Sequence, residues 1–469
     1  MEISESNSNK QELWRRIFIS LLLLVVYRLG CHIPLPGVDT ALLGRYMEKL
    51  GSGTGGNMLA MFDMFNGGAF KQATIFALGI MPYISVSIVM QILTLTVPFF
   101  ERLSKEGESG RKKISQYTRY GTVVVCAIQA FSICLILSKQ QFENQDFIKE
   151  SVSTNLFLFM GTIILTTGTM FLLWLGELIT DRGIGNGVSL IIMLGIIASM
   201  PAAALKIFNK ATLDIVTSDT NKISITVLLV LIALFVFMIV SVVFVQQGQR
   251  RIPIQQAKRS LGSRIYGGVR SDLPLKVLTA NVIPIILASA VMIIPQAMAH
   301  VPKIGEYFTV FSNHSTHAYV VVYLALIIFF TFFFTMLQFN PTEVSENLKK
   351  GGYFIPGYRP GKKTADYLDW VMLRLTFAGA IFLAVVAEVP TIIQGSFHVD
   401  FIIANLFGGT GLLIVVGVGL DLLDKIKSYL VVKNYEGIMQ TTNKYSAPAS
   451  SAPGATPATI TGTTTENKN

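Results

Sequence analysis

Long apolar runs separated by short polar segments dominate the whole chain. Each run has about 20 residues, enough for an α-helix rising about 1.5 Å per residue to cross roughly 30 Å of hydrocarbon. The short alternating segments typical of a transmembrane β-barrel do not appear. The pattern predicts an all-α polytopic membrane protein with ten transmembrane helices, at residues 17–37, 73–97, 120–138, 154–175, 184–205, 223–245, 275–298, 318–339, 371–392 and 401–421.

Composition excludes an ordinary soluble protein. Of the 469 residues, 51% are hydrophobic and only 14% are charged, whereas soluble globular chains carry about 25% charged residues. The first apolar run begins just after Trp14, Arg15 and Arg16, and no small-residue cleavage site follows it. We therefore expect a retained first helix, not a removed signal peptide.

Lysine and arginine predict the orientation. With the N-terminus inside, the inner segments hold 27 of the 38 basic residues and the outer segments hold nine. Because basic residues resist translocation, the tails at 1–16 and 422–469 are expected to be cytoplasmic, as are the loops 246–274 and 340–370. From about residue 445 the tail is small, polar and proline-bearing, and we expect it to be disordered, either as a linker or as an extension.

Catalytic or metal-binding patterns find little support. His314 and His317 form an HxxH without a third ligand, and the GIGNG at 183–187 lacks the strand, spacing and Lys of a phosphate loop. The three cysteines sit in or beside apolar helices and imply no disulfide framework. No nucleophile–base constellation emerges, so the sequence predicts neither an enzyme nor a cofactor.

A cationic loop interrupts the apolar pattern at residues 246–274, beginning QQGQRRIPIQQAKR. It could be an orientation signal, a patch for anionic lipid or a docking site for a large partner. A second large loop, 340–370, places Arg359 in a tip rich in proline and glycine. Orientation and lipid binding do not explain this second loop, which favours docking.

A short amphipathic pattern precedes the second run, in NMLAMFDMFNGGAF at 57–70. Four apolar side chains recur at i, i+3, i+4 and i+7, the spacing of one helix face: Met58, Met61, Phe62 and Phe65. Gly67 and Gly68 then break the pattern before the second span. The segment is either an interfacial helix on the outer surface or a half-helix folded back into the protein.

Five segments carry a specific family resemblance, spread over loops and spans in order: FALGIMPYIS (76–85), EGESGRKKISQYTRYGT (106–122), GTMFLLWLGELITDRGIGNG (168–187), NPTEVSENLKKGGYFIPGYRPG (340–361) and FGGTGLLIVV (407–416). They resemble the SecY family of bacterial protein-translocation channels. The similarity runs from about residue 12 to residue 440. Shared hydrophobicity alone does not create motifs this specific.

The resemblance implies two pseudo-symmetric inverted halves, 17–205 and 223–421, closing like a clamshell around a pore and hinged between the fifth and sixth spans. It identifies residues 57–70 as the plug segment, which blocks the outer funnel. It also implies a lateral gate between the second and seventh spans, with Ser85 opposite Ile294.

The resemblance further implies a constriction, here called the pore ring, at Ile80, Ile84, Val188, Ile192, Ile286 and Ile414. The first two members are four residues apart, and so are the next two, so each pair shares a helix face. Aliphatic side chains offer water and ions no hydrogen bonds, and a narrow ring of them can gate by dewetting. Val188 departs from the isoleucine common in the family. Without the resemblance, these residues would read as ordinary core or lipid-facing aliphatics.

By the same resemblance, the two cationic loops dock the SecA motor ATPase or the ribosome through Arg250, Arg251, Lys258, Arg259, Arg264 and Arg359. Arginine suits this role because its fork binds phosphate and carboxylate bidentately. SecE and SecG are the implied partner subunits. Unfolded precursor polypeptides, signal sequences and membrane lipid are the implied pore contacts.

The implied function is a protein-conducting channel of the bacterial cytoplasmic membrane. It would pass unfolded secretory chains outward and release transmembrane segments sideways into lipid. A solute transporter with inverted repeats is the alternative, with Glu177 and Glu388 as the nearest candidates for a substrate site. A scaffold without a pore is a third possibility, against which the broken half-helix argues mildly.

Overall fold

The computed structural model describes residues 2–51, 63–139, 141–142, 145–148, 153–212, 223–256, 259–261, 264–266, 270–298, 316–397, 403–405 and 408–445. Most of the described chain is helical. Seven described helices are long and apolar enough to cross a membrane, or eight if one bent pair counts as a single span. The protein is a polytopic helical membrane protein, as the apolar pattern predicts.

The first half of the chain contains seven described helices. They are α1 (Glu2–Gly30), α2 (Thr40–Gly51), α3 (Met81–Thr96), α4 (Pro98–Lys105), α5 (Glu108–Lys139), α6 (Thr154–Arg182) and α7 (Gly187–Lys210). The α3 and α4 pair is bent by 95°. Pro98 opens α4, where its missing N–H costs no intrahelical bond.

The second half contains six described helices. They are α8 (Ile225–Gln247), α9 (Ile283–Met298), α10 (His317–Gln338), α11 (Pro341–Lys350), α12 (Lys362–Phe397) and α13 (Gly409–Tyr445). Asn340 caps α11 by accepting the backbone N–H groups of Thr342 and Glu343. The helices α1 and α9 overlap the first and seventh predicted spans, but the total of ten spans remains a prediction.

The second predicted span begins too early, at residue 73. Residues 66–80 form successive turns, and α3 starts only at Met81. Gly79 has φ +56, and the Asn66 side chain occupies the space that a Cβ there would need. An apolar run does not distinguish such turns from a helix, whereas Pro82 in the first turn of α3 suits a helix start.

The seventh predicted span also begins too early, at residue 275. Residues 270–276 form strand β8, and α9 starts at Ile283 after Asn281, which has φ +49. Two other helices are longer than the predicted spans. The helix α1 begins before residue 17, at Glu2, and α13 continues beyond residue 421 to Tyr445. Except for Tyr445, the predicted disordered tail lies outside the described residues.

The loops also contain strands, which the apolar pattern does not predict. Three two-residue or three-residue pairs are β1 (Gln141–Phe142) with β2 (Gln145–Asp146), β3 (Ala211–Thr212) with β4 (Ile223–Ser224), and β6 (Arg259–Leu261) with β7 (Arg264–Tyr266). A three-stranded antiparallel sheet has the order β8 (Arg270–Lys276), β5 (Gln249–Gln256), β9 (Tyr353–Phe354). This sheet joins the loop 246–274 to the loop 340–370.

Each half has its own packed core, and a smaller cluster lies between them. The first-half core includes Phe147, Phe157 and Leu165, and the second-half core is built around Ile285 and Leu383. Many outward side chains are exposed and apolar, including those of α8, as expected for a surface in contact with lipid. The central cluster, described next, contains residues of both halves.

Candidate pore

A cavity of about 720 Å³ opens between the two halves on the side that carries the cationic loops, here called the loop face. Both halves contribute to its wall. Its mouth is polar and carries charges of both signs: Gln91, Asn186, Gln246, Lys276, Asp421, Asp424, Lys425 and Lys427. A chain entering from this face would meet a hydrated, mixed-charge mouth.

Five of the six pore-ring residues line this cavity. Ile84 comes from α3, Ile286 from α9 and Ile414 from α13, and α7 supplies two more, Val188 and Ile192. Ile192, Ile286 and Ile414 belong to the same cluster of packed side chains. Four helices from both halves therefore bring aliphatic side chains to one cavity, and the constriction itself remains a prediction.

Ile80 does not line this cavity. It is 4% exposed and packs in a cluster with Tyr27 and Leu172, against which Ile84 and Val188 also pack. It precedes α3 as the N-cap, and its carbonyl oxygen accepts the N–H of Ile84. Ile80 lines a second, much smaller space together with Ile84 and Ile192.

That second space measures about 10 Å³, scarcely the volume that one water molecule requires. Ile84 and Ile192 line both spaces. Phe65 of the plug segment borders the small space. A narrow space thus adjoins the wide cavity at these two pore-ring residues.

The described part of the plug segment is compact. Residues 63–65 form one helical turn, and Gly67 and Gly68 follow with φ +66 and +84, a backbone conformation that only glycine adopts readily. Phe65 is 6% exposed and packs against Ile196 and Ile414. Met58, Met61 and Phe62 lie outside the described residues, so the proposed half-helix remains a prediction.

The plug segment contacts residues that the sequence analysis did not select. A Cβ at Gly195 would lie 2.6 Å from the Phe65 carbonyl oxygen, and a Cβ at Gly411 would lie 2.9 Å from the Met64 methyl group. The Phe65 carbonyl is a backbone group, so only glycine permits the approach at Gly195, whereas the flexible Met64 side chain can adjust to a larger residue at Gly411. Arg28, a charge within the first apolar run, is a sequence feature that could have pointed to these contacts.

The predicted lateral gate is only partly described. Ser85 is exposed on α3, and its hydroxyl donates to the Met81 carbonyl at 3.1 Å. Ile294 lies in α9, but its side chain is outside the described part, so its pairing with Ser85 stays a prediction. Residues from α3, α9 and α10 meet in a neighbouring cluster: Ile84, Ile88, Ile92, Ile283, Leu287, Phe330 and Phe334.

The two halves also approach each other near this boundary on the loop face. Lys105 of α4 donates to the Glu101 carboxylate at 2.7 Å, and this bond raises the pKa of Lys105. Glu343 of α11, in the second half, adds a smaller contribution in the same direction.

The β8-β5-β9 sheet and the turn at 355–361 form one surface, here called the loop platform. Arg250 and Arg251 lie on β5 and are exposed. The alternate residues Ile252 and Ile254 are buried against α12, which anchors the strand. Lys258 lies outside the described residues, and Arg259 and Arg264 lie in β6 and β7 with undescribed side chains.

Arg359 is exposed on a turn whose backbone is held firmly. The Thr364 hydroxyl donates to the Arg359 carbonyl at 2.9 Å, and the Ser345 hydroxyl donates to the Gly361 carbonyl at 2.7 Å. Tyr358 stacks on Tyr367 with ring centroids 4.1 Å apart. The guanidinium is thus presented to solvent from a preordered loop, which lowers the entropy cost of binding.

The carboxylates considered for a transporter do not converge. Glu177 accepts from Arg119 at 2.8 Å, joining α6 to α5. Glu388 is buried among the second-half helices, with Tyr319 and Tyr323 nearby. Neither residue lines the cavity on the loop face.

Comparison with known proteins identifies close sequence relatives. The sequence model of the SecY family matches residues 74–423. The protein translocase subunit SecY of Escherichia coli strain K12 is 41% identical over 450 residues, covering 94% of this chain and 97% of its own. The SecY subunit of Vibrio cholerae is 41% identical over 451 residues, with the same coverage of both chains.

Solved structures share the fold. A protein conducting channel aligns with a TM-score of 0.59 at 18% identity, over 90% of this chain and 93% of that chain. A SecY structure concerning the plug domain, which stabilises the closed state and maintains a membrane seal, has a TM-score of 0.57 at 19% identity with the same coverage. Sec61 in the canine ribosome-channel complex has a TM-score of 0.56 at 17% identity, again with that coverage.

Proposed function

The chain belongs to the SecY family of protein translocase subunits, and we propose that its pore carries unfolded secretory polypeptides out of the bacterial cytoplasm. It is a subunit of a protein-conducting channel. The loop face is then cytoplasmic, with both chain termini on that side of the inner membrane. The distribution of lysine and arginine supports this orientation.

The observation that carries the proposal is the cavity between the two halves, to which four helices bring aliphatic side chains. Five pore-ring residues line this cavity of about 720 Å³, and two of them, Ile84 and Ile192, also line the space of about 10 Å³ beside it. Aliphatic walls give ions and water no compensating hydrogen bonds, so the resting pore resists wetting. They also demand no particular partner from a passing chain, which suits cargo of any sequence.

The plug segment completes the seal in this proposal. Phe65 packs against Ile414 of the second half, in the same cluster as Ile192 and Ile286. A translocating chain must displace it. Signal sequences and transmembrane segments are proposed to leave sideways between α3 and α9, past Ser85 and Ile294, because only a lateral opening reaches lipid.

Docking of energy-supplying partners is assigned to the loop platform. Arg250, Arg251 and Arg359 are exposed cations on one ordered surface, and Lys258, Arg259 and Arg264 extend the same loop. We assign this surface to SecA and to the ribosome, with SecE and SecG as membrane partners. The fold shared with a channel from a ribosome complex agrees with a ribosome-facing role.

Reconstitution into liposomes distinguishes a protein-conducting channel from a solute transporter. The protein, purified with its native partners, is placed in liposomes with SecA, ATP and an unfolded precursor. We expect protease-protected precursor to accumulate only when ATP and a functional signal sequence are present. Flux of small solutes without any precursor import would support the transporter and contradict the channel.

A further inference from the structure

An arginine side chain within the first predicted span contacts residues 66–68 of the plug segment, here called the plug hinge. Arg28 Nη1 donates to the carbonyl oxygen of Gly67 at 2.8 Å. Among the described residues, no carboxylate forms an ion pair with Arg28. An unpaired cation at this depth is costly, so the carbonyl of the hinge is its stabilising partner.

Neighbouring groups hold the same hinge. The Tyr27 hydroxyl lies 3.5 Å from the Asn66 carbonyl, and the Asn66 amide donates to the Ala77 carbonyl at 2.9 Å. Tyr27 and Arg28 of α1 thus face the carbonyls of two successive hinge residues. The first half therefore fixes the hinge by several backbone-directed hydrogen bonds, one of which is charge-assisted.

The contact from the second half is weaker. Asn405, which is 5% exposed, donates its amide to the Met64 sulfur at 3.2 Å. A thioether is a poor acceptor compared with a carbonyl. Met64 also approaches Gly411 of α13. Hydrogen bonds therefore hold the plug segment more strongly to the first half than to the second.

We infer that Arg28 and Asn405 form a two-sided latch, in which Arg28 of the first half and Asn405 of the second half both hold the plug segment while the halves are closed. The inference rests on the proposed function as a plugged channel. When the halves separate, the Met64–Asn405 contact breaks first, because it is the weaker one. The plug then turns about Gly67 and Gly68, whose left-handed backbone permits the turn, and this turn carries the Gly67 carbonyl away from Arg28.

Resting ion conductance of the purified channel in planar bilayers tests the latch. Losing a hydrogen bond to a charged group should raise the conductance of Arg28→Met about tenfold to a hundredfold. Arg28→Lys retains a cationic donor and should conduct fewer ions at rest than Arg28→Met. Asn405→Leu removes the weaker contact and should give a smaller rise. Arg374→Met is the matched control, because that arginine also lies in a predicted span but stacks on Trp370, and its conductance should stay at the wild-type level.

A plug-deleted channel distinguishes a latch from a general effect on folding. Once residues 57–66 are removed, Arg28→Met should add no further conductance, because its target is displaced. Wild-type conductance of Arg28→Met in the full chain would overturn the latch, and so would an equal increase with and without the plug. Precursor import is measured in parallel. If even the wild-type chain imports no precursor, the proposed function fails, whereas normal import with unchanged conductance removes only the latch.

Discussion

Replacing Gly195 by alanine should displace the plug segment and make the closed channel leak. A Cβ at this position would lie 2.6 Å from the Phe65 carbonyl oxygen and 3.2 Å from the Gly67 amide nitrogen. Both are backbone atoms and cannot rotate away. The plug segment or α7 must move by about 0.4 Å before the shorter contact reaches 3.0 Å, the limit that real Cβ atoms respect.

The energetic sign follows from comparing the seated and displaced states of the plug. Alanine is favoured over glycine in a helix interior by roughly 1 kcal/mol, but this gain is present in both states and cancels. Overpacking costs about 1–3 kcal/mol and is present only when the plug is seated. The ratio of displaced to seated plug should therefore rise about fivefold to 150-fold.

Resting conductance in planar bilayers measures this ratio, and α13 supplies a matched control. Gly419 is also helical, and no atom lies within 4 Å of a Cβ built there. Gly419→Ala should gain stability without leaking. If Gly195→Ala instead shows wild-type conductance together with a raised thermal unfolding temperature, the close approach between α7 and the plug is refuted.

Three further predictions concern the pore ring, the lateral gate and the loop platform. Ile192→Ser should place a hydroxyl in the constriction and raise resting ion leak, whereas Ile163→Ser on the exposed surface of α6 should not; equal leak in both would remove the special role of the ring. A disulfide between cysteines at Ser85 and Ile294 requires Cα atoms within about 7 Å and should block precursor import until it is reduced; import that continues through an efficiently formed cross-link contradicts the gate. Arg359→Lys should slow SecA-driven import about tenfold to a hundredfold because the guanidinium fork is lost, and Arg359→Glu should nearly abolish it; wild-type import rates in vesicles with equal amounts of the Glu variant would leave Arg359 an ordinary surface residue.

The sequence predicted the helices well where a run had to satisfy only the membrane. Apolar length indicated α5, α6, α8 and α12, because each satisfies its backbone internally whatever it packs against. The predicted starts of α3 and α9 were wrong, because Gly79 and Asn281 adopt positive φ inside otherwise apolar sequence. Hydropathy does not register such a backbone conformation.

In the candidate pore, too, some residues could be predicted from the sequence and others could not. The family resemblance indicated the residues that line the cavity, since a shared motif transfers a position along a helix. The residues that the plug segment packs against were not predicted. Gly195 and Gly411 have no side chain that signals a contact, and their partners lie far away along the chain. The joining of two loops through β5 and β9 was also missed, since two strand residues leave almost no sequence pattern.

The loop platform also has a mechanical consequence. Its sheet connects the segment after α8 to the segment before α12, so both helices leave the membrane into one hydrogen-bonded body. Because a paired sheet resists stretching, a push on the turn at Arg359 is transmitted to both helices and acts as a lever on the second half. A partner that binds the loop platform a hundredfold more tightly when the channel is open shifts the equilibrium between closed and open channel by the same factor. The free energy of binding then drives the opening.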